Sequence, residues 1–321
     1  MKSIKHGVPQ GSVLGPLLFI IYINDIFEAI IHSSTFLFAD DTGLLNSNCN
    51  LKTIEEQVNE DLQSLYKWLC ASKISLNITK TEVVLFYHNH KKVNYEMKLV
   101  LNDEDLKISK NVKYLGLLLD HDLSFSSHLE FLSIKLRNAN GAISKIRHVA
   151  NESVCKSVFN ALFTSYISYA CQTWAQCINL NTSRIFKLQK TALRLLTFSD
   201  FRSPSQPLFY RLKLLKISDL VKLRNITLVH EILNAKSPID VSNTFNLKHY
   251  SAYHDTRGKT LRLIAKPKCR TTRFGINSII YQCISNWNEL QQHYKNINLS
   301  KTSHLKLSKL AFQFLIQQYL T

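Results

Sequence analysis

The sequence predicts an α+β fold: an antiparallel sheet with helices first, then a helical bundle and a mostly helical C-terminal region. Three observations carry this. Within residues 1–120, short apolar β-type runs are interspersed with helical stripes. From Ser124 onward the apolar residues recur at spacings of three and four. Asn102, Asp103, Glu104 and Asp105 form a turn cluster between two short apolar runs, which marks a hairpin. A chain of 321 residues has room for two or three structural units. The segments read as 1–92, 93–123, 124–200 and 201–321.

The elements follow in order. A helix is expected over 12–30, with Ser12 as N-cap, Pro16 in its opening turns, and an apolar stripe of Leu17, Ile20, Ile21, Ile23 (or Asn24) and Phe27. Apolar runs on each side of Asp40 and Asp41 predict a hairpin. A second helix over 51–71 carries Ile54, Val58, Leu62, Leu65 and Leu69, with Trp68 against the sheet. A strand over 82–87, placed beside the hairpin, would bring Lys80 near the acids. Residues 93–120 read as a small sheet, with strands at 97–101, 106–108 and 114–119. Gly116 within the last implies close approach of another backbone.

Three amphipathic helices come next. Their stripes are Leu129, Leu132, Leu136, Ala139, Ile143 and Ile146; then Cys155, Val158, Leu162, Ser165 and Tyr169; then Ile185, Leu188, Ala192 and Leu195. Residues 201–207 read as a linker broken by Pro204 and Pro207, and helical segments follow at 208–235. The N-terminal run from Val13 to Ile23 holds Gly15 and Pro16 and leads into Asn24 and Asp25, so it reads as a fold helix and not as a signal peptide. It is also too short to span a bilayer.

Asp40 and Asp41 are the residues with the most chemistry. Adjacent carboxylates repel, and a divalent cation at a hairpin tip relieves that repulsion. Mg²⁺ suits such a pair, being held by one or two carboxylates plus substrate phosphates. The alternative is a solvated Asp-Asp turn. Upstream, Gly7, Gly11 and Gly15 let backbone approach a ligand closely. Gln10 and Gly11 lie at the mouth of the first helix, where N–H groups can meet a phosphate or a base edge.

Glycine loop, helix, strand, Asp-Asp and strand, in that order, resemble the palm of a reverse transcriptase. GVPQGSVLGPLLFIIYIND (7–25) and FADDT (38–42) look like two signature blocks of polymerases from retrotransposons without long terminal repeats, close to the jockey-like group. Residues 77–86, with Lys80, resemble the next palm motif. Lys113, Tyr114, Leu115 and Gly116 resemble the primer-grip hairpin. Residues 253–257 and 285–288 look like a region that often follows such polymerases.

The resemblance implies a partial palm at 1–92, a primer-grip-like β segment at 93–123, a helical thumb-like bundle at 124–200 and a basic C-terminal region at 201–321. It implies RNA-directed DNA synthesis by two-metal nucleotidyl transfer. Asp40 would bind Mg²⁺ (or Mn²⁺), Asp41 would assist, and Lys80 would act on the leaving group. Gln10 and Gly11 would position template and nucleotide, and Tyr114, Leu115 and Gly116 the primer end. Expected partners are an RNA template, a DNA primer or duplex, and deoxynucleotides. The expected setting is intracellular, nucleus or cytoplasm, neither secreted nor membrane-bound.

Family members carry fingers and an earlier palm strand, with a further metal-binding Asp, before the glycine loop. Here residues 1–6 precede it. The expectation is a truncated element with loose metal binding and negligible polymerisation on its own. The alternative is a catalytically dead transposon remnant that only binds nucleic acid.

Charge separates the two halves. Residues 1–120 carry a net −2 and residues 121–321 a net +19. Acids that hold metal joined to cations that track phosphates suit a nucleic-acid enzyme. Lys135, Arg137, Lys145 and Arg147 mark the first bundle helix, and Lys187, Lys190 and Arg194 the third. Residues 256–288 hold no acid and seven cations: Arg257, Lys259, Arg262, Lys266, Lys268, Arg270 and Arg273. Tyr253, Phe274 and Tyr281 are mixed among them, as in surfaces that bind single strands. A solvated basic surface is the competing explanation. Seven scattered cysteines without a CxxC pair read as free thiols in a reducing compartment. His88 and His90 read as a solvated loop.

Overall fold

The computed structural model describes residues 11–88, 95–177, 183–248 and 262–320. The chain divides into two units, 1–112 and 113–321, each with its own core. Gln10, His90, Tyr253, Arg257 and Lys259 lie outside the described residues, as do the side chains of Arg273 and Phe274.

In the first unit, helix α1 (Gly15–Ile23) has Leu14 at its N-cap position, not Ser12 as expected, though Ser12 still holds the chain just before it. The Gly15 N–H donates to Ser12 Oγ at 3.0 Å, and the proline sits in the first turn. The helix is shorter than the expected 12–30. It stops at Asn24 and resumes as a 3₁₀ turn, Ile26–Ala29. Most of the expected stripe is not buried. Leu17, Ile20 and Ile21 are more than half exposed and Phe27 nearly so; of the expected stripe Ile23 is buried, joined by Ile26 beyond the helix end. Because α1 is apolar on every side, its sequence does not single out one face.

Strands β1 (Ser34–Phe38) and β2 (Asp41–Leu45) then pair antiparallel, with Phe38 opposite Asp41. Helix α2 (Leu51–Ala71) matches its expectation and organises the unit. Asn50 caps it, accepting from the Lys52 N–H at 3.0 Å. Leu62 packs on Met97, Leu99, Leu101 and Leu106, while Leu65 and Leu69 pack on Ile26, with Trp68, Leu37 and Leu44 alongside.

Among the described residues the β structure is four two-stranded pairs, not the single antiparallel sheet expected. Strands β4 (Leu99–Leu101) and β5 (Glu104–Leu106) form the predicted hairpin, turning at Asn102 and Asp103, both at positive φ. Strand β3 is only Val83–Val84, and it pairs parallel with β6 (Ile108–Ser109) instead of joining the Asp40 hairpin. One reason the sheet does not grow is visible at the outer edge of β4. There Asn59 of α2 accepts from the Val100 N–H and donates to the Lys98 carbonyl, both at 2.9 Å, taking the place of a strand.

A further hairpin, β7 (Asn111–Tyr114) with β8 (Leu117–Asp120), begins at the unit boundary. It divides what the sequence reads as one strand. The second unit is otherwise helical. Helix α3 (Ser126–Ile146) buries Leu132, Leu136, Ala139 and Ile143 as expected. Helix α4 (Glu152–Phe159) runs through a π turn, Asn160–Thr164, into α5 (Ser165–Ser168). The wider turn moves the buried face to Cys155, Phe159, Phe163 and Ile167, leaving the expected Leu162 and Tyr169 exposed.

After α6 (Cys171–Trp174), helix α7 (Arg184–Thr197) lies along α3 in the same direction, with Asn140 donating to the Leu188 carbonyl at 3.1 Å. Pro207 does not break a helix. It lies in the first turn of α8 (Ser205–Leu212), where its missing N–H costs nothing. Helices α9 (Ile217–Leu233), α10 (Ile239–Phe245), α11 (Ile279–His293) and α12 (His304–Gln317) complete the unit. Asn288 pins the segment before α11 by a reciprocal pair with Ile264, donating to its carbonyl at 2.8 Å and accepting from its N–H at 2.9 Å. No helix among the described residues is long and apolar enough to cross a membrane.

Candidate functional site

The β1–β2 hairpin places Asp40 in its two-residue turn and Asp41 at the first position of β2. Ala39 supplies the reversal at φ 52°. Both carboxylates are exposed, and neither is given a hydrogen bond or ion pair among the described residues. Phe36 and Phe38 beside them are more than half exposed. Two neighbouring acids at a tip offer four oxygens to a hard cation that keeps part of its water shell. Among the described residues no group of three or more His, Cys, Asp or Glu joins them.

The hairpin is held from behind. Asp61 of α2 is fully buried, and its Oδ1 accepts from the N–H groups of Ile31 and His32 at 2.9 and 3.1 Å. Burial alone would raise its pKa. Hydrogen bonds from Ser33, Ile31 and His32 outweigh this and hold it below the usual carboxylate value. This residue fixes the entry to β1, and nothing in the linear pattern separates it from the other acids of α2.

Lys80 ends a 3₁₀ turn, Ile78–Lys80. Its strand does not pair with the hairpin, but Ile78, Val83 and the hairpin's Leu44 pack against one cluster. Gly11 sits at φ +86°, with open space where a Cβ would project. Tyr114, Leu115 and Gly116 belong to the second unit, where Leu115 and Gly116 form the β7–β8 turn at φ 45° and 81°. The expected close approach at Gly116 is to a ring and not to backbone. A Cβ there would meet Tyr169 at 3.5 Å, and the Tyr169 hydroxyl donates to the Leu115 carbonyl at 2.6 Å.

Of the α3 cations, Arg137 and Lys145 are exposed. Arg137 bonds back to the Ser133 carbonyl at 3.3 Å. Lys135 lies over the Phe131 ring at 5.5 Å. Arg147 donates to the Leu195 carbonyl at 3.1 Å with its guanidinium 4.2 Å from the Phe198 ring. In the C-terminal region Lys266 lies over Tyr281 at 5.4 Å and donates to Ser285 Oγ at 3.0 Å. Arg262 is at φ 55°, and Arg270 is exposed. The thiols of Cys49, Cys70, Cys155, Cys171, Cys269 and Cys283 are free. Burial pushes Cys171 up to about 11, which makes it inert as a nucleophile.

Residues 2–119, which span the glycine loop, the acid-tipped hairpin and the Lys80 turn, match the family model described as reverse transcriptase (RNA-dependent DNA polymerase). This segment belongs to the reverse transcriptase family. Similarity extends past the domain. The RNA-directed DNA polymerase from mobile element jockey of Drosophila melanogaster is 25% identical over 238 residues, covering 70% of this chain and 25% of that protein. The probable RNA-directed DNA polymerase from transposon X-element of the same species is 25% identical over 261 residues, covering 79% and 26%. The retrovirus-related Pol polyprotein from type-1 retrotransposable element R1 of Bradysia coprophila is 23% identical over 190 residues, covering 57% and 19%. All three of these relatives are polymerases or Pol polyproteins of mobile elements. The chain spans about a fifth to a quarter of the length of these relatives. No solved structure matches it.

Sequence reading missed the rings paired with the bundle's cations. Phe131 with Lys135 and Phe186 with Lys190 are four apart on one helix, a spacing visible in the sequence. Arg147 with Phe198 and Arg194 with Phe201 join separate segments, and only the fold reveals them.

Proposed function

We propose that Asp40 and Asp41 are the metal-holding carboxylates of an RNA-directed DNA polymerase. The observation that carries this reading is their position: two exposed acids, without another partner among the described residues, at a hairpin tip inside the segment matched by the family model. Their oxygen-only donor set fits Mg²⁺ or Mn²⁺. When bound, such ions activate a primer 3′-hydroxyl and stabilise the departing pyrophosphate. Asp40 and Asp41 hold charge at that point, and Lys80 donates a proton or a countercharge to the leaving group. Gln10 and Gly11 position template and nucleotide, and Tyr114, Leu115 and Gly116 seat the primer end. Residues 1–92 act as palm and 124–200 as thumb, with Lys135, Arg137, Lys145 and Arg147 along the duplex. Arg257, Lys259, Arg262, Arg270 and Arg273 of the basic C-terminal region add phosphate contacts. The work takes place inside the cell, on an RNA template with a DNA primer and deoxynucleotides.

A second reading is favoured by one observation. With no third ligand gathered among the described residues, the pair alone holds a divalent ion loosely, and the chain acts as a nucleic-acid-binding element. Primer extension on an RNA template, with Mg²⁺ or Mn²⁺, separates the two. The 321-residue chain alone is expected to extend negligibly while binding primed duplex. Robust synthesis that Asp40→Asn abolishes would make the pair sufficient for catalysis and set the second reading aside.

A further inference from the structure

Helices α3 and α7 end side by side, and two phenylalanines project at that end. Phe198 is 58% exposed and Phe201 77% exposed. Phe198 occupies the left-handed position that closes α7, at φ 52°, with the Ser199 N–H returning to the Arg194 carbonyl at 3.0 Å. Glycine is the usual residue there, because a Cβ is strained at positive φ. The ring at this site gains little burial and keeps more than half of its surface open.

Both rings are backed by fixed guanidinium groups. Arg147 lies 4.2 Å from the Phe198 ring and is anchored on the Leu195 carbonyl. Arg194 lies 5.7 Å from the Phe201 ring and donates twice to the Ser203 carbonyl, at 3.1 and 2.9 Å. His148 meets the Phe198 ring edge-on at 5.6 Å. The local charge is one-sided. Residues 131–151 hold four Lys or Arg and no acid, and residues 184–202 hold five against Asp200 alone. Open ring faces, rigidly supported and set among cations, are the elements of a base-stacking platform beside a phosphate path.

We propose that the Phe198–Phe201 corner stacks unpaired bases of a single-stranded nucleic acid, with the surrounding cations taking its phosphates. This rests on the reading of the second unit as nucleic-acid-binding and is independent of catalysis at Asp40. A duplex keeps its bases stacked internally, so it gains only the phosphate contacts.

The test compares a fluorescein-labelled oligo(dT) of about 12 nucleotides with a blunt duplex of the same length, by anisotropy at one salt concentration, on the full chain. The double substitution of Phe198→Ala and Phe201→Ala is expected to weaken single-strand binding by about 10-fold or more and leave duplex binding within about twofold. Tyrosine at both positions, which keeps the ring faces, is expected to restore single-strand affinity. Phe198→Gly guards against unfolding: it suits the left-handed position, so it is expected to weaken single-strand binding without lowering the thermal midpoint. Equal losses on both ligands, or no loss on the single strand, would overturn the stacking site while intact duplex binding keeps the wider reading. A change in sedimentation of the double variant alone would make the corner a self-contact and overturn it. Failure of the unaltered chain to bind either ligand would overturn both.

Discussion

Asp61 shows how one buried acid fixes the entry to the hairpin that carries Asp40. Its Oδ1 holds the N–H groups of Ile31 and His32, three and two residues before β1 begins. Asp61→Ala removes that acceptor and leaves two part-buried N–H donors without it. The expected cost is about 1–3 kcal/mol, read as a lower urea midpoint and lost hydrogen-exchange protection at Ile31 and His32. Because the folded pKa lies below the ordinary value of 3.8, this stability is fully present above about pH 4. It is lost as pH falls through the lower folded value. The acid-unfolding profile of Asp61→Asn is therefore expected to be flatter below pH 4 than that of the unaltered chain. The residue types at 40 and 41 were legible as chemistry from the sequence. Asp61 was not, because its role exists only once α2 lies behind the chain at Ile31 and His32.

At the scale of elements, the β7–β8 hairpin depends on a residue 54 positions away. Leu115 is a poor turn former, yet it sits at φ 45° because Tyr169 bonds its carbonyl. Tyr169→Phe is expected to destabilise by about 1 kcal/mol through loss of that hydrogen bond. Gly116→Ala is expected to cost about 1–2 kcal/mol, from φ +81° and not from collision, since the new Cβ would sit 3.5 Å from the ring. Chemical unfolding of the second unit measures both, and no effect from either would remove the account of this turn. The same distance effect explains the misread strand over 114–119. Helices α2, α3 and α7 were legible because their amphipathic stripes run without interruption. The α4–α5 face was not, because a π turn changes the period inside it.

For the whole molecule, the charge division is the property with the widest reach. A net +19 beyond residue 120 predicts phosphate contacts throughout the second unit, and each contact releases counterions on binding. Affinity for primed duplex is expected to fall by at least about 10-fold between 50 and 200 mM salt, measured by anisotropy. A flat salt response would show that the cations are solvated surface and nothing more. The structure already uses several of them internally. Arg147 and Arg194 tie segments of the second unit together, so alanine at either position is expected to lower stability as well as affinity, whereas Lys145→Ala lowers affinity alone.

The linear sequence determined the likeness of residues 2–119 to reverse transcriptases, the acid pair at a turn, the mixed-then-helical order and the asymmetry of charge. These depend on which residues stand next to one another, and neighbours along the chain survive any packing. Tertiary structure decided the rest: that β3 pairs with Ile108–Ser109 and not with the acid hairpin, that α1 buries Ile23 and leaves most of its other apolar side chains outward, and that Phe198 and Phe201 stand open over arginines. Each of these is a choice among partners distant in sequence, and only competition for burial and for hydrogen-bond donors selects between them.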